Sequence, residues 1–221
     1  MISIVAKGEV LLEQEYPELN DPHWAHVGGF KNKMIEWTGD QHYNRNFNNH
    51  IYNLKSERPL RVLDLGCGGG GFIENCLEDG NIGVGIDGNR YFKELNLHGW
   101  SRYNNNFFCC DLGKEWQLSE DGKPMKFDII TTWEFLEHLY ENDIETLSQC
   151  IANHSKDGTY LIYSASQRDH RPHHKLVRNK EWWLNQFGKY GFINTDLDFG
   201  RDVIRWEHDS IFGYMKFQEK V

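Results

Sequence analysis

Residues 61–72, Arg-Val-Leu-Asp-Leu-Gly-Cys-Gly-Gly-Gly-Gly-Phe, restrict the possible folds of this chain more than any other stretch. A short apolar run at 62–65, interrupted by Asp64, gives way to a glycine-dense turn and then to helix-forming residues over 72–77. The pattern predicts a buried parallel strand, a tight turn and a helix. Such a junction brings backbone N–H groups up to a ligand, and side chains in the turn would obstruct that approach. Gly66, Gly68 and Gly71 satisfy the spacing G-x-G-x-x-G, a weak signal when it stands alone. The acid two residues before the first glycine makes the pattern more specific. A tight strand-to-helix turn with no ligand is the simpler alternative.

From residue 60 onward, strand and helix patterns alternate, which implies a parallel sheet with crossovers on both faces. Strands are expected at 60–65, 82–86, 106–110, 127–132 and 159–164, with helices at 72–77, 90–97, 134–139 and 143–153. A polar loop at 165–178 precedes a helix at 180–190, which Gly191 closes. Two runs at 192–197 and 211–218 read as an antiparallel hairpin at the sheet edge. Before residue 60 the pattern is weaker. Residues 2–12 suit a short strand or arm, 16–29 a loop, and 31–55 one or two helices near the ligand mouth.

Charge narrows the function. Twenty-four basic against 33 acidic side chains give a net charge of −9, which argues against a protein that grips nucleic acid through its phosphates. Arg168, Arg171, Lys175, Arg178 and Lys180 form a local basic patch that reads as a solvated loop. Five cysteines with no Cys-x-x-Cys pair suit a reducing, intracellular, cytoplasmic setting. No signal-peptide pattern opens the sequence, and no apolar run reaches the ~20 residues of a membrane helix.

The segment Asp-Leu-Gly-Cys-Gly-Gly-Gly at 64–70 resembles motif I of the class I S-adenosylmethionine (SAM) methyltransferases. The resemblance covers roughly residues 50–221 and implies a Rossmann-like α/β fold with a seven-stranded, mostly parallel sheet ending in an antiparallel hairpin. Residues 1–55 are then an N-terminal arm with lid helices on the active site, and 56–221 the methyltransferase domain. The resemblance implies cofactor contacts from Asp64, Gly66, Cys67, Gly68, Gly70 and Phe72, and from Asp87 and Gly88 after the second strand. It adds Asp111 and Leu112 after the third and Trp133 after the fourth. Asp87 could accept hydrogen bonds from both ribose hydroxyls and Asp111 one from the adenine amino group. Alternatively Asp87 is a turn residue before Gly88, and Asp111 a helix N-cap before Gly113. A nicotinamide enzyme could share the glycines and Asp87, but would leave the segment after the fourth strand unexplained.

That segment is Trp133-Glu-Phe-Leu-Glu-His-Leu139. On a helix, Glu134, Glu137 and His138 stand at i, i+3 and i+4 and share one face. Two carboxylates and an imidazole there suit Mg²⁺ or Mn²⁺. The Glu-x-x-Glu-His pattern resembles the ubiquinone-pathway O-methyltransferases and the small-RNA 2′-O-methyltransferases, in which these residues hold a metal. A later histidine completes the set in the RNA enzymes, and His174 is the expected counterpart. From His174 to Phe192, including Glu181-Trp182-Trp183 and Gly191-Phe192, the chain also resembles small sugar and glycan O-methyltransferases. Many class I enzymes carry Glu-His-Leu at this place with no metal, so His138 as a metal-free base and a structural role remain alternatives.

The expected activity is SAM-dependent O-methylation of a sugar or glycan hydroxyl, assisted by a divalent ion, with His138, Glu137 and His174 as catalytic residues. Tryptophan-rich loops suit carbohydrate stacking, though core packing explains such rings equally well. The rival acceptors are a 3′-terminal RNA ribose and a quinone or other small phenol. A SAM-binding module without activity is the non-enzymatic alternative.

Overall fold

A computed structural model of the protein describes residues 1–8, 45–94, 96, 98–168, 174–199 and 210–219. The expected loop at 16–29 and most of the expected lid helices at 31–55 lie outside the described residues. A seven-stranded sheet dominates, in the order β4-β3-β2-β7-β8-β10-β9. Its strands are β2 (Arg61–Leu65), β3 (Ile82–Asp87), β4 (Phe107–Cys109), β7 (Phe127–Thr132), β8 (Ser155–Ser166), β9 (Phe192–Asn194) and β10 (Ser210–Phe217). The pairs from β4 through β8 are parallel, whereas β10 runs antiparallel to both β8 and β9.

Residues of the strands divide alternately between two cores, as the two-residue period of a strand requires. Leu63 and Leu65 of β2, with Leu161 and Tyr163 of β8, join Leu147 and Ile151 of helix α5 (Ile144–Asn153) and Trp183 and Phe187 of α6 (Lys180–Gly188). Val62 and Ile162 face the opposite layer. There they meet Ile51 of α1 (Arg45–Tyr52), Phe72 and Ile73 of α2 (Gly71–Glu78) and Trp100 of α4 (His98–Arg102). A short α3 (Arg90–Glu94) precedes α4, so the single helix expected over 90–97 is replaced by α3 and a second helix beginning at His98. Asn179 caps α6, its side-chain oxygen accepting the Trp182 N–H at 2.9 Å.

One cross-strand pair shares its volume unequally. Gly213 of β10 stands opposite Tyr163 of β8, and a Cβ at 213 would lie 2.1 Å from the tyrosine Cζ. The ring occupies the place of the missing side chain.

A second sheet escaped the sequence reading. It joins β1 (Ile2–Ala6), β5 (Trp116–Glu120) and β6 (Lys123–Pro124) in the order β1-β5-β6. Asp121 and Gly122 turn between β5 and β6 with φ of 51° and 76°. Asp-Gly is the usual chemistry of a tight hairpin turn, so the signal was in the sequence. The Arg61–Glu120 ion pair ties this sheet to β2. His154, at the end of α5, ties it to the helical layer. Its ring stacks on Trp116 at 4.6 Å, Nε2 accepts the Leu118 N–H at 2.9 Å, and Nδ1 lies 2.7 Å from the Cys150 carbonyl. Those contacts require the neutral ring protonated on Nδ1, and burial lowers its pKa below the ordinary 6.5.

Trp100, Trp116, Trp133 and Trp183 are all buried, so these rings serve the cores rather than sugar-stacking loops. Among the described residues, no helix is long and apolar enough to cross a membrane.

Candidate active site

Parallel α/β sheets bind ligands at the carboxyl ends of their strands, where the strand order reverses. Here that point lies beside β2, between β3 and β7. The turn after β2 is pinned to β3, because the N–H groups of Gly66 and Cys67 both donate to the Ile86 carbonyl, at 2.8 and 3.1 Å. Gly66, Gly68 and Gly70 have φ of 75°, 54° and 84°, a region that side chains disfavour. Close packing adds a second reason for two of them. A Cβ on Gly66 would lie 2.6 Å from Phe135, and one on Gly70 would lie 2.3 Å from Phe107.

Asp64 is fully buried within β2. Thr131 of β7 donates to its Oδ1 at 2.7 Å, while Oδ2 has no hydrogen-bond partner among the described residues. Burial, with the nearby charge of Asp87 adding and the Thr131 hydrogen bond opposing, pushes its pKa up to about 8. Asp87 ends β3; its Oδ2 accepts the Gly68 N–H at 2.8 Å and Oδ1 the Asn89 N–H at 2.7 Å. Burial outweighs those two hydrogen bonds and raises its pKa to about 6. A cationic ligand beside the pair would restore both charged forms. SAM carries an ammonium and a sulfonium, so the orphaned Asp64 oxygen and the two raised carboxyls fit it.

The other expected cofactor residues divide. Cys67 and Phe72 are buried in the core under the turn. Asp111 uses Oδ1 to accept the Gly113 N–H at 2.8 Å within a turn that leads into β5, so the helix N-cap expected as its alternative role does not form. Leu112 lies in the main core beside Trp116 and Leu118, and Trp133 in the opposite core. Trp100 was missed. Its indole N–H donates to the Gly68 carbonyl at 2.8 Å and braces the turn from α4. No spacing rule marks an indole thirty-two residues downstream.

At the chemical end, the helix expected over 134–139 does not form. Only Leu136–His138 makes a single 3₁₀ turn, entered through Glu134 at φ 45°. The i, i+3, i+4 face is therefore lost. The structure nonetheless gathers Glu137, His138 and His174, whose ligand atoms all lie within 4.8 Å of one another. Two hydrogen bonds make that meeting possible. The N–H groups of Lys175 and Leu176 both donate to the Glu137 carbonyl, at 2.8 and 3.0 Å, and lay the loop after β8 against the turn. The His174 Nδ1 lies 2.8 Å from the Arg168 carbonyl. In the neutral ring that contact puts the proton on Nδ1 and the lone pair on Nε2, as metal-binding histidines require. His173 lies outside the described residues.

Glu134 does not join the three. Its carboxylate Oε2 accepts from the Ser210 hydroxyl at 2.8 Å, and its N–H donates to the Ser164 Oγ at 3.0 Å. One carboxylate and two imidazoles form a donor set that suits a borderline divalent ion.

Comparison with known proteins agrees with this fold. The profile of the methyltransferase domain family matches residues 38–197, and the chain belongs to that family. Its fold is that of the class I SAM-dependent methyltransferases. It superposes on a TehB-like SAM-dependent methyltransferase from Corynebacterium glutamicum with a TM-score of 0.61 at 13% identity, covering 93% of this chain and 100% of that one. Magnesium protoporphyrin IX methyltransferase from Synechocystis, with bound SAH, gives 0.57 at 16% identity over 94% and 99%. In sequence, the chain is 32% identical to the ubiquinone biosynthesis O-methyltransferase of Nitrosospira multiformis over 125 residues, 56% of this chain and 50% of that protein. The same enzyme of Leptothrix cholodnii is 29% identical over 68% of this chain and 63% of its own length. The chain thus spans about half to under two thirds of these relatives.

Proposed function

We propose that the chain is a SAM-dependent O-methyltransferase whose acceptor is a phenolic hydroxyl with a neighbouring oxygen, as on quinone precursors. Glu137, His138 and His174 would hold a borderline divalent ion such as Mn²⁺. The observation that carries this reading is the convergence of those three side chains. The ubiquinone-pathway relatives support the phenol over the sugar or glycan. Burial of four of the tryptophans removes much of the sugar's support.

SAM, when bound, supplies an electrophilic methyl group, so the protein's main task is to align the reactants. The glycine turn, with Asp64 and Asp87, holds the cofactor end. Glu137, His138 and His174 would hold an ion able to chelate vicinal oxygens and to lower the pKa of the attacking hydroxyl. Without the ion, His138 would instead be the base that receives the proton.

The test is a panel of acceptors with and without EDTA. 3,4-Dihydroxybenzoate should be methylated, its monohydroxy analogue poorly, and EDTA should stop turnover while SAM affinity stays unchanged. Full turnover in EDTA would remove the ion and leave His138 as the base. Methylation of a vicinal-diol sugar, or of RNA with a free 3′ end, in place of the catechol would change the acceptor class.

A further inference from the structure

Glu134 was expected to be the first ligand of the ion set, yet its surroundings give it other work. We propose that Glu134 is a positioning residue, whose clamp to β8 and β10 sets the turn that carries Glu137 and His138. This inference rests on the proposed ion site.

The argument begins with the backbone. Glu134 is the first residue but one after β7, and its φ of 45° falls in the left-handed region that side chains rarely adopt. A non-glycine residue persists there when its surroundings over-determine it. Two hydrogen bonds do so: the Ser164 Oγ accepts its N–H at 3.0 Å, and the Ser210 hydroxyl donates to its Oε2 at 2.8 Å. Ser164 and Ser210 are both buried. They lie at the same end of one strand pair, with Phe212 opposite Ser164 and Ser210 opposite Ser166. The clamp is therefore built into the register of the sheet.

The reversal at Glu134 has direct consequences downstream. It drops Phe135 onto Gly66 and starts the turn closed by the His138 N–H to the Phe135 carbonyl at 3.0 Å. Glu137 and His138 sit on that turn. The contact this clamp uses is a hydrogen bond accepted from Ser210, which an amide oxygen can also accept.

The proposal separates two roles that sequence alone assigns to one residue. A ligand loses the ion when its charge is removed, whereas a positioning residue tolerates an uncharged acceptor. Full-length wild type, Glu134→Gln, Glu134→Ala, Ser210→Ala and Glu137→Gln would be titrated with Mn²⁺ alone, followed by electron paramagnetic resonance. Thermal melting would check the fold. Glu134→Gln should bind Mn²⁺ within about threefold of wild type. Glu134→Ala and Ser210→Ala should each weaken it roughly tenfold or more, the range seen for outer supports of metal ligands. The two together should be no worse than either alone, since both break one contact. Glu137→Gln, the ligand control, should lose the ion. If Glu134→Gln loses Mn²⁺ as Glu137→Gln does, or if Ser210→Ala matches wild type, the proposal is overturned. Absence of Mn²⁺ binding in wild type would sink the ion reading instead. The same variants would then be ranked by kcat on the catechol, and the clamp stands only if Glu134→Gln alone keeps turnover with KM for SAM unchanged.

Discussion

The two ends of this site were built by different means. At the cofactor end, Asp64 lies in one strand, Asp87 ends its neighbour, and the turn between strand and helix is pinned to that neighbour by backbone hydrogen bonds. Each position follows from the register of parallel strands. At the chemical end, Glu137 and His138 ride on a single 3₁₀ turn, and His174 comes from a loop beyond the next strand. Contacts from Lys175, Leu176, Arg168, Ser164 and Ser210, distant in sequence, help bring those three together.

The largest expected effect tests the chemical end. Glu137→Ala or His174→Ala should lower turnover by roughly 10²–10⁴-fold while SAM affinity by calorimetry stays at wild type. Loss of SAM binding in either variant would erase the distinction between the ends. Next comes the turn. Gly70→Val places a side chain where φ is 84° and where Phe107 already sits. It should abolish measurable SAM binding and lower stability by about 1–3 kcal/mol. Micromolar SAM affinity in that variant would show that the turn is not the cofactor site.

A third prediction sharpens the cofactor end. Asp87→Ala should cost about 1.5–3 kcal/mol of SAM affinity, seen as a ten- to hundredfold rise in Kd. Because burial raises Asp87 to about 6 and Asp64 to about 8, SAM affinity should climb with pH through that window. The ligand-free protein should behave oppositely. Raised carboxyls contribute stability that is fully present below their ordinary 3.8 and lost as pH rises through about 6 and about 8. Affinity and melting temperature that rise together with pH would contradict the two carboxyls.

The smallest effect lies away from both ends. His154, neutral and buried, has a folded pKa below 6.5, so its contribution is present above that value and lost as pH falls through it. His154→Phe should cost about 1 kcal/mol at pH 7.5 through the orphaned Leu118 N–H, flatten the acid limb of stability, and leave SAM Kd unchanged.

Legibility in the sequence followed the same division. The parallel strands stood out because burial on both faces makes them largely apolar, and β2, β3 and β7 begin and end within one residue of expectation. Asp64, Asp87 and the glycines were legible because a strand end is a place that sequence can mark. The cluster of Glu137, His138 and His174 was legible as residue types, through Glu-x-x-Glu-His and a later histidine, but its geometry was not. A helical face was expected where a left-handed glutamate breaks the helix, and no local signal announces a conformation enforced by serines thirty and seventy-six residues away. Trp100 was missed for the same reason. The small sheet was missed although Asp121-Gly122 marked its turn, because β1 lies more than a hundred residues from its partner β5.

The tyrosine that fills the place of a side chain at Gly213 carries a lesson for the history of the fold. Positions 163 and 213 cannot vary independently, because any side chain at 213 collides with the ring across the strand pair. In descendants or designed libraries the two sites should change as a couple, a larger residue at 213 appearing only beside a smaller one at 163. Selection from a two-site library would expose that coupling as an empty quadrant, with large residues never recovered at both positions in one clone.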